Sequence, residues 1–202
     1  MNFFRPLDSG RSLDARASLD LFGFCAFPDL LDSEGHEALR LEALAQFESG
    51  CFSESREGLA YEAYLGDLGP RALEYLTSKT TLNLLETFTG RNYRLVTEKS
   101  CFTYYFEGGH LAPHLDDIPG AVSVSLLTYL LVTTPDETVD RSALDIYSRD
   151  AQAPGKKRTS ITTTPASVIL GYGAEVWHGR TMLAPDQVVV MINGSYGAIG
   201  TD

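Results

Sequence analysis

The sequence predicts an α+β chain, mainly β: an antiparallel sandwich or barrel with helices packed on one side. Three observations carry that expectation. Helical periodicity is concentrated before Gly90, roughly seven strand-like segments bounded by Gly, Pro or Asp follow it, and βαβ alternation is absent. The last point disfavours a parallel nucleotide-binding sheet. A chain of 202 residues is expected to form a single domain, with 1–90 as helical support and 91–197 as the β core.

Each element has its own local signal. "LFGFCAFPDLL" reads as a short strand closed by a Pro-Asp turn. "LLDSEGHEALRLEALAQFESG" offers Asp32 or Ser33 as N-cap, an acidic first turn, apolar residues on a helical period and Gly50 as a stop. "PRALEYLTSKTTLNLLETFTG" reads as two short helices, with Pro70 in a first turn and Gly90 at the end. Beyond it, "YRLVTEKSCFTYYF" is rich in β-branched and aromatic residues, and "VSVSLLTYLLV" is a long apolar strand buried on both faces. "ALDIYS", "KRTSITTTP", "ASVILGYG" and "DQVVVMINGSY" complete the strand series. "TTPDETVDRS" and "DAQAPGKK" are its longest polar loops.

Composition excludes several function classes. A net charge of -11 argues against a nucleic-acid groove, which needs a concentrated Lys/Arg face. No run approaches a membrane span, and the N-terminus lacks the apolar core of a signal peptide. Cys25, Cys51 and Cys101 are widely spaced without CxxC pairing, which fits a reducing compartment and a cytoplasmic protein. No Ser-His-Asp arrangement, P-loop or GxGxxG is present. The oligomeric state stays open.

The chemistry concentrates in "YFEGGHLAPHLDD", which holds two of the chain's four histidines. His114 and Asp116 are two apart at the end of a predicted strand, so both side chains can point to one face. His178, in "GAEVWHGR", lies at the mouth of another strand. Two imidazoles and one carboxylate on one side of an ion leave its other positions open, the facial arrangement of non-haem Fe(II) oxygen chemistry. Taken alone, the same residues also fit a polar Asp116-Asp117 turn and a buried imidazole bonded to backbone.

The flanking residues extend the pattern. Tyr105-x-x-Gly108-x-x-Leu111-x-x-His114-x-Asp116 resembles the first metal-binding strand and turn of the Fe(II)/2-oxoglutarate-dependent oxygenases, in their prolyl 4-hydroxylase-like and phytanoyl-hydroxylase-like branches. "SVSLLTYLLV" stands where that family has its long central strand. "SALDIYS" is similar to its Gly-Gly-x-Leu strand, with Arg141-Ser142 or Ser142-Ala143 replacing the glycines. "PASVILGYGAEVWHG" resembles its Pro turn, apolar strand and distal His, and "LFGFCAFPDLLDSEGHEALR" its N-terminal strand and first helix. The resemblance implies a double-stranded β-helix, a jelly roll of the cupin-like kind, with N-terminal helices on one face. It implies Fe(II) held by His114, Asp116 and His178, with 2-oxoglutarate as cosubstrate and O2 as oxidant. Tyr105 matches a residue that hydrogen-bonds the cosubstrate.

The sequence departs from the family at one point. The family places a basic residue about ten positions past the distal His, where this chain has Val188. Three explanations are open. Arg180, in "WHGR", supplies the cation, with Gln187 as a neutral donor nearby; Lys99, Arg94 or Arg158 supplies it; or 2-oxoglutarate is not used. The expected substrate is a small molecule, an amino acid or a natural-product intermediate. The net charge, with Glu107, Asp116 and Asp117 near the proposed mouth, points to a cationic or amine-bearing one. His110 stands where it could touch substrate or solvent, and Trp177 would flank the pocket or pack. The alternatives are an Fe(II) oxidase without 2-oxoglutarate, a cupin-like isomerase or lyase, and a ligand-binding protein.

Overall fold

The computed structural model describes residues 3–56, 59–116, 123–133, 142–149 and 152–200. Its N-terminal part alternates helices with strands that join the barrel. Helix α1 (Ser9–Phe22) is opened by the Asp8 side chain, which accepts from the Arg11 N–H, and closed by Gly23 in the left-handed region. Strand β1 (Phe24–Phe27) follows, then α2 (Ser33–Ser49), whose N-cap is Asp32, as the sequence suggests. Strands β2 (Phe52–Arg56) and β3 (Leu59–Gly66) form a hairpin. Helices α3 (Pro70–Thr77) and α4 (Lys79–Thr89) come next, with Pro70 in the first turn of one and Gly90 capping the other.

The rest is β-structure. It comprises β4 (Tyr93–Leu95), a 3-10 turn at Thr97–Lys99, β5 (Cys101–Tyr105), β6 (His110–His114), β7 (Ser123–Thr133), β8 (Ala143–Arg149), β9 (Thr159–Thr162), β10 (Val168–Gly171), β11 (Val176–Arg180) and β12 (Val188–Ala198). Every strand pairing among the described residues is antiparallel. The order β1-β10-β7-β12-β5 makes the larger face and β6-β11-β8-β9 the smaller one. Strand β3 pairs with both β5 and β6 and so links the two faces into a nearly closed barrel. No helix among the described residues is long and apolar enough to cross a membrane.

Alternation along β7 shows how the two faces are used. Leu126 and Leu130 belong to an apolar cluster shared with the helices, whereas Leu127 and Tyr129 belong to a second one inside the barrel. Three polar ties fix helices to the sheet: Tyr104 Oη donates to the Ala43 carbonyl at 2.7 Å, Tyr196 Oη to the Leu76 carbonyl at 2.9 Å, and Tyr75 Oη pairs with Thr128 Oγ1 at 2.9 Å.

Within the first ninety residues one helix carries little sequence signal, and one segment is not helical. Helix α1 buries only Ala15 and Leu19 and leaves Leu13 and Leu21 exposed, so it carries little periodic signal. The β2–β3 hairpin replaces helix altogether. Its later half alternates exposed Glu62 and Tyr64 with buried Ala63 and Leu65, a period of two in the sequence itself.

Helix α3 starts at Gly69 without a side-chain cap of its own. Glu42 of α2 substitutes, its two carboxylate oxygens accepting from the Arg71 and Ala72 N–H groups at 2.8 Å each. Glu42→Ala is expected to lower unfolding free energy by about 1–2 kcal/mol, and Glu42→Gln by less, in urea denaturation.

Candidate metal centre

The pairing of β6 with β11 builds the site. His178 lies opposite His114 in register, and Asp116 follows two residues beyond the end of β6. Asp116 Oδ1 is 3.2 Å from His114 Nε2 and 3.5 Å from His178 Nε2. One donor atom from each of the three residues lies within 4.8 Å of the others. The remaining ring nitrogens face backbone: His114 Nδ1 is 3.2 Å from the Ala112 carbonyl and His178 Nδ1 is 3.0 Å from the Val176 carbonyl. With Nδ1–H donating to those carbonyls, each Nε2 is the nitrogen that would face a metal ion beside Asp116. The donor set therefore fits a divalent ion with open positions.

Asp116 is held from two further sides. Its backbone N–H donates to the Gly173 carbonyl at 2.9 Å, and Ser125 Oγ donates to Oδ2. Gly173 is required by space, since a Cβ there would overlap Asp116 Oδ2 and Ser125 Oγ. Burial favours the neutral carboxyl, but the two imidazoles outweigh it and hold Asp116 well below the usual carboxylate range. Burial likewise disfavours a charged His178, yet Asp116 raises it above its ordinary value.

Arg180, two residues past His178, points into the barrel. It is 5% exposed, and among the described residues no carboxylate is within ion-pair distance. One terminal nitrogen donates to Ser142 Oγ at 2.7 Å and the other to Tyr129 Oη at 2.6 Å. The guanidinium carbon is 5.0 Å from the centre of the Tyr105 ring and 5.2 Å from that of Tyr129. Burial pushes the Tyr105 phenol up to about 12, against the pull of Arg180, so it stays a donor. The three metal-ligand candidates, Tyr105 and Arg180 line one cavity of about 110 Å³.

The other expected residues separate. Gln187 is buried, but its Oε1 accepts from the Ala184 N–H at 2.9 Å, and it is not among the described residues lining the cavity. The turn before β12 draws its amide away. Arg94 is exposed on β4, and Arg158 donates to the Leu21 carbonyl at 3.2 Å on the surface. Lys99 does line the cavity. Glu107, His110 and Trp177 are not among its described lining residues, which leaves Asp116 as the one carboxylate there. Asp117 and Arg141 lie outside the described residues. Ser125 and Gly173 escaped sequence reasoning, because only strand register brings them to Asp116.

The two shifts give opposite pH responses. The Asp116 contribution to stability is lost as pH falls through its depressed value, and that of His178 as pH rises through its raised one. The metal-free protein is expected to lose melting temperature above the ordinary histidine range, while the increment on adding Ni(II) grows, because a metal needs neutral His178. Differential scanning calorimetry across pH reads both. Gly173→Ala is expected to weaken Ni(II) binding at least about tenfold by displacing Asp116, as measured by calorimetric titration.

No protein-family model matches the chain, and a search of curated proteins finds no significant relative. Solved structures do match. A prolyl-4-hydroxylase from Pseudomonas putida aligns with TM-score 0.65 and 16% identity over 93% of this chain and 98% of its own. SnoN, a non-haem α-ketoglutarate-dependent epimerase of nogalamycin biosynthesis, aligns with TM-score 0.74 and 13% identity over 94% and 84%. HygX from Streptomyces hygroscopicus, solved with nickel, 2-oxoglutarate and hygromycin B, aligns with TM-score 0.68 and 15% identity over 96% and 88%. The jelly roll that the sequence resemblance implied is thus the fold of this chain, shared with 2-oxoglutarate-dependent enzymes.

Proposed function

We propose that the protein is a non-haem Fe(II)- and 2-oxoglutarate-dependent dioxygenase that hydroxylates or otherwise oxidises a small molecule. The observation that carries this reading is Arg180: a buried guanidinium without an acidic partner among the described residues, in one cavity with a two-His, one-carboxylate set. An uncompensated buried cation is costly and calls for an anion. The distal carboxylate of 2-oxoglutarate would accept from Arg180, helped by the Tyr105 and Tyr129 hydroxyls. His114, Asp116 and His178 would hold the iron. When bound, iron, 2-oxoglutarate and O2 supply oxidation of a substrate C–H bond, coupled to conversion of 2-oxoglutarate to succinate and CO2.

The chain's own residues supply the rest. Ser125 Oγ donates to one carboxylate oxygen of Asp116, and the Gly173 carbonyl holds its backbone N–H. Leu127, Leu144 and Met191 keep the cavity apolar around the cosubstrate. An overall charge of -11 favours an amine on the substrate at long range. Within the lining an amine is favoured only alongside a negative group, since Lys99 and Arg180 outnumber Asp116.

Anaerobic addition of Fe(II) and 2-oxoglutarate is expected to give the weak visible charge-transfer band of the chelate. A tightly bound metal with neither band nor succinate would favour a cupin-like isomerase, a lyase or an oxidase that does not use the cosubstrate. Arg180→Gln is expected to raise the apparent KM for 2-oxoglutarate about 10- to 200-fold, from a charge-assisted contact worth roughly 1.5–3 kcal/mol. Iron content should stay at the parent level. Arg180→Lys is also impaired, because an ammonium cannot copy the guanidinium fork.

A further inference from the structure

Asp116 stands two residues beyond the end of β6, so no strand ladder of its own fixes its side chain. The fixed point is Ser125 on β7. That strand is paired on both edges there, with Gly171 of β10 and Ser195 of β12 opposite Ser125. Ser125 is 1% exposed, and along the same face Leu127 and Tyr129 follow it into the barrel. A hydroxyl is thus set into an otherwise apolar stretch of wall, and it donates to Asp116 Oδ2. A buried hydroxyl is retained where it has an acceptor to serve.

The two carboxylate oxygens of Asp116 are therefore unequal. Oδ1 is the one beside the imidazoles, 3.2 Å from His114 Nε2 and 3.5 Å from His178 Nε2. Oδ2 is taken by Ser125 and closed in by the Gly173 backbone, where a Cβ would overlap both Oδ2 and Ser125 Oγ. A hydroxyl bonded to a carboxylate makes a strong, charge-assisted contact, and a buried carboxylate oxygen without a donor is costly. Without the Ser125 hydroxyl, Oδ2 would turn to the ion that Oδ1 is placed to hold. The hydroxyl and the metal compete for one oxygen.

We infer that Ser125 is a positioning residue: by holding Oδ2 it limits Asp116 to a single ligand atom, Oδ1. The coordination position that a two-oxygen carboxylate would fill thereby stays open to molecules entering the cavity. Ser125 acts on which atoms coordinate, and so on ligand access to the metal, without touching the ion itself. The inference rests on the three-residue metal centre. The oxygenase reading enters only in naming 2-oxoglutarate as a ligand that uses the open positions.

Infrared difference spectroscopy of Ni(II) uptake, with an isotope label in the aspartate carboxyl carbons, reads the coordination mode without turnover. The gap between the antisymmetric and symmetric carboxylate stretches is wide for one coordinating oxygen and narrow for two. The parent is expected to give the wide gap and Ser125→Ala the narrow one, while Ser125→Thr, which keeps the hydroxyl, restores the wide gap. Calorimetric titration of the Ni(II)-loaded proteins should show 2-oxoglutarate binding to Ser125→Ala at least about tenfold more weakly than to the parent. Loss of packing alone would lower the melting temperature of the metal-free variant and leave the gap wide. Ser125→Cys, a weaker donor of similar size, replaces the alanine variant if that one unfolds. A narrow gap in the parent or in folded Ser125→Thr, a wide gap in Ser125→Ala, or no Ni(II) uptake by the parent overturns the inference. So does unchanged 2-oxoglutarate affinity in Ser125→Ala where the parent binds it. The Fe(II)/2-oxoglutarate band of the parent is read separately. Its absence removes the oxygenase reading while the infrared gaps still judge Ser125; its presence with a wide gap in Ser125→Ala removes the positioning role alone.

Discussion

Charge buried inside a β-barrel is the constraint on which this molecule turns. Among the described lining residues, His114, Asp116, His178, Arg180 and Lys99 bring charged or imidazole side chains to a cavity whose other walls are mostly leucine, methionine and tyrosine. Three of them close on one another: the imidazoles face Asp116, their far nitrogens face carbonyls, and Ser125 takes the remaining carboxylate oxygen. Among the described residues, Arg180 meets hydroxyls, a thioether and two ring faces. The cavity is thus electrostatically satisfied at one end and open to an anion at the other. A ligand that carries a carboxylate at one end and metal-binding oxygens at the other matches both.

The sheet sets that polarity. His178 and Arg180 are two apart on β11, so they share a face and differ in depth. His114 and Leu111 are their partners on β6, with a register shift between the two pairs. On the opposite wall, β7 and β12 run past both levels and carry Ser125 near the carboxylate and Tyr129 near the guanidinium. Their other faces are tied to α3 through the Tyr75 and Tyr196 hydroxyls, and the neighbouring β5 is tied to α2 through that of Tyr104. Helices far from the chemistry thereby hold the wall that faces it.

Much of this was legible in the sequence, and the reason is spacing. His114 and Asp116 at a strand end, His178 at the mouth of another strand and Arg180 two residues later all follow from a period of two. The capped helices α2, α3 and α4 declared themselves through Asp32, Pro70 and Gly90. Three kinds of feature did not. Helix α1 is too weakly amphipathic to register as a pattern. Gln187 was offered as a neutral donor for the cosubstrate, but its side-chain oxygen accepts from the Ala184 N–H in the turn before β12. Ser125 and Gly173 act on Asp116 across strands, and no local motif encodes a register between distant segments.

The bridging strand β3 has a consequence for how the chain reaches this state. It lies between β5 and β6, while β1 pairs with β10 at the far edge of the larger face. Three strands from the N-terminal third, β1, β3 and the β2 that pairs with β3, are therefore built into a sheet whose other described strands lie beyond Gly90. Nearly every pairing that completes the cavity is long-range in sequence, so its closure entropy must be met before the contacts reward it. Folding should be slow and late-cooperative, and the helices between the early strands become part of the route by which the two faces meet.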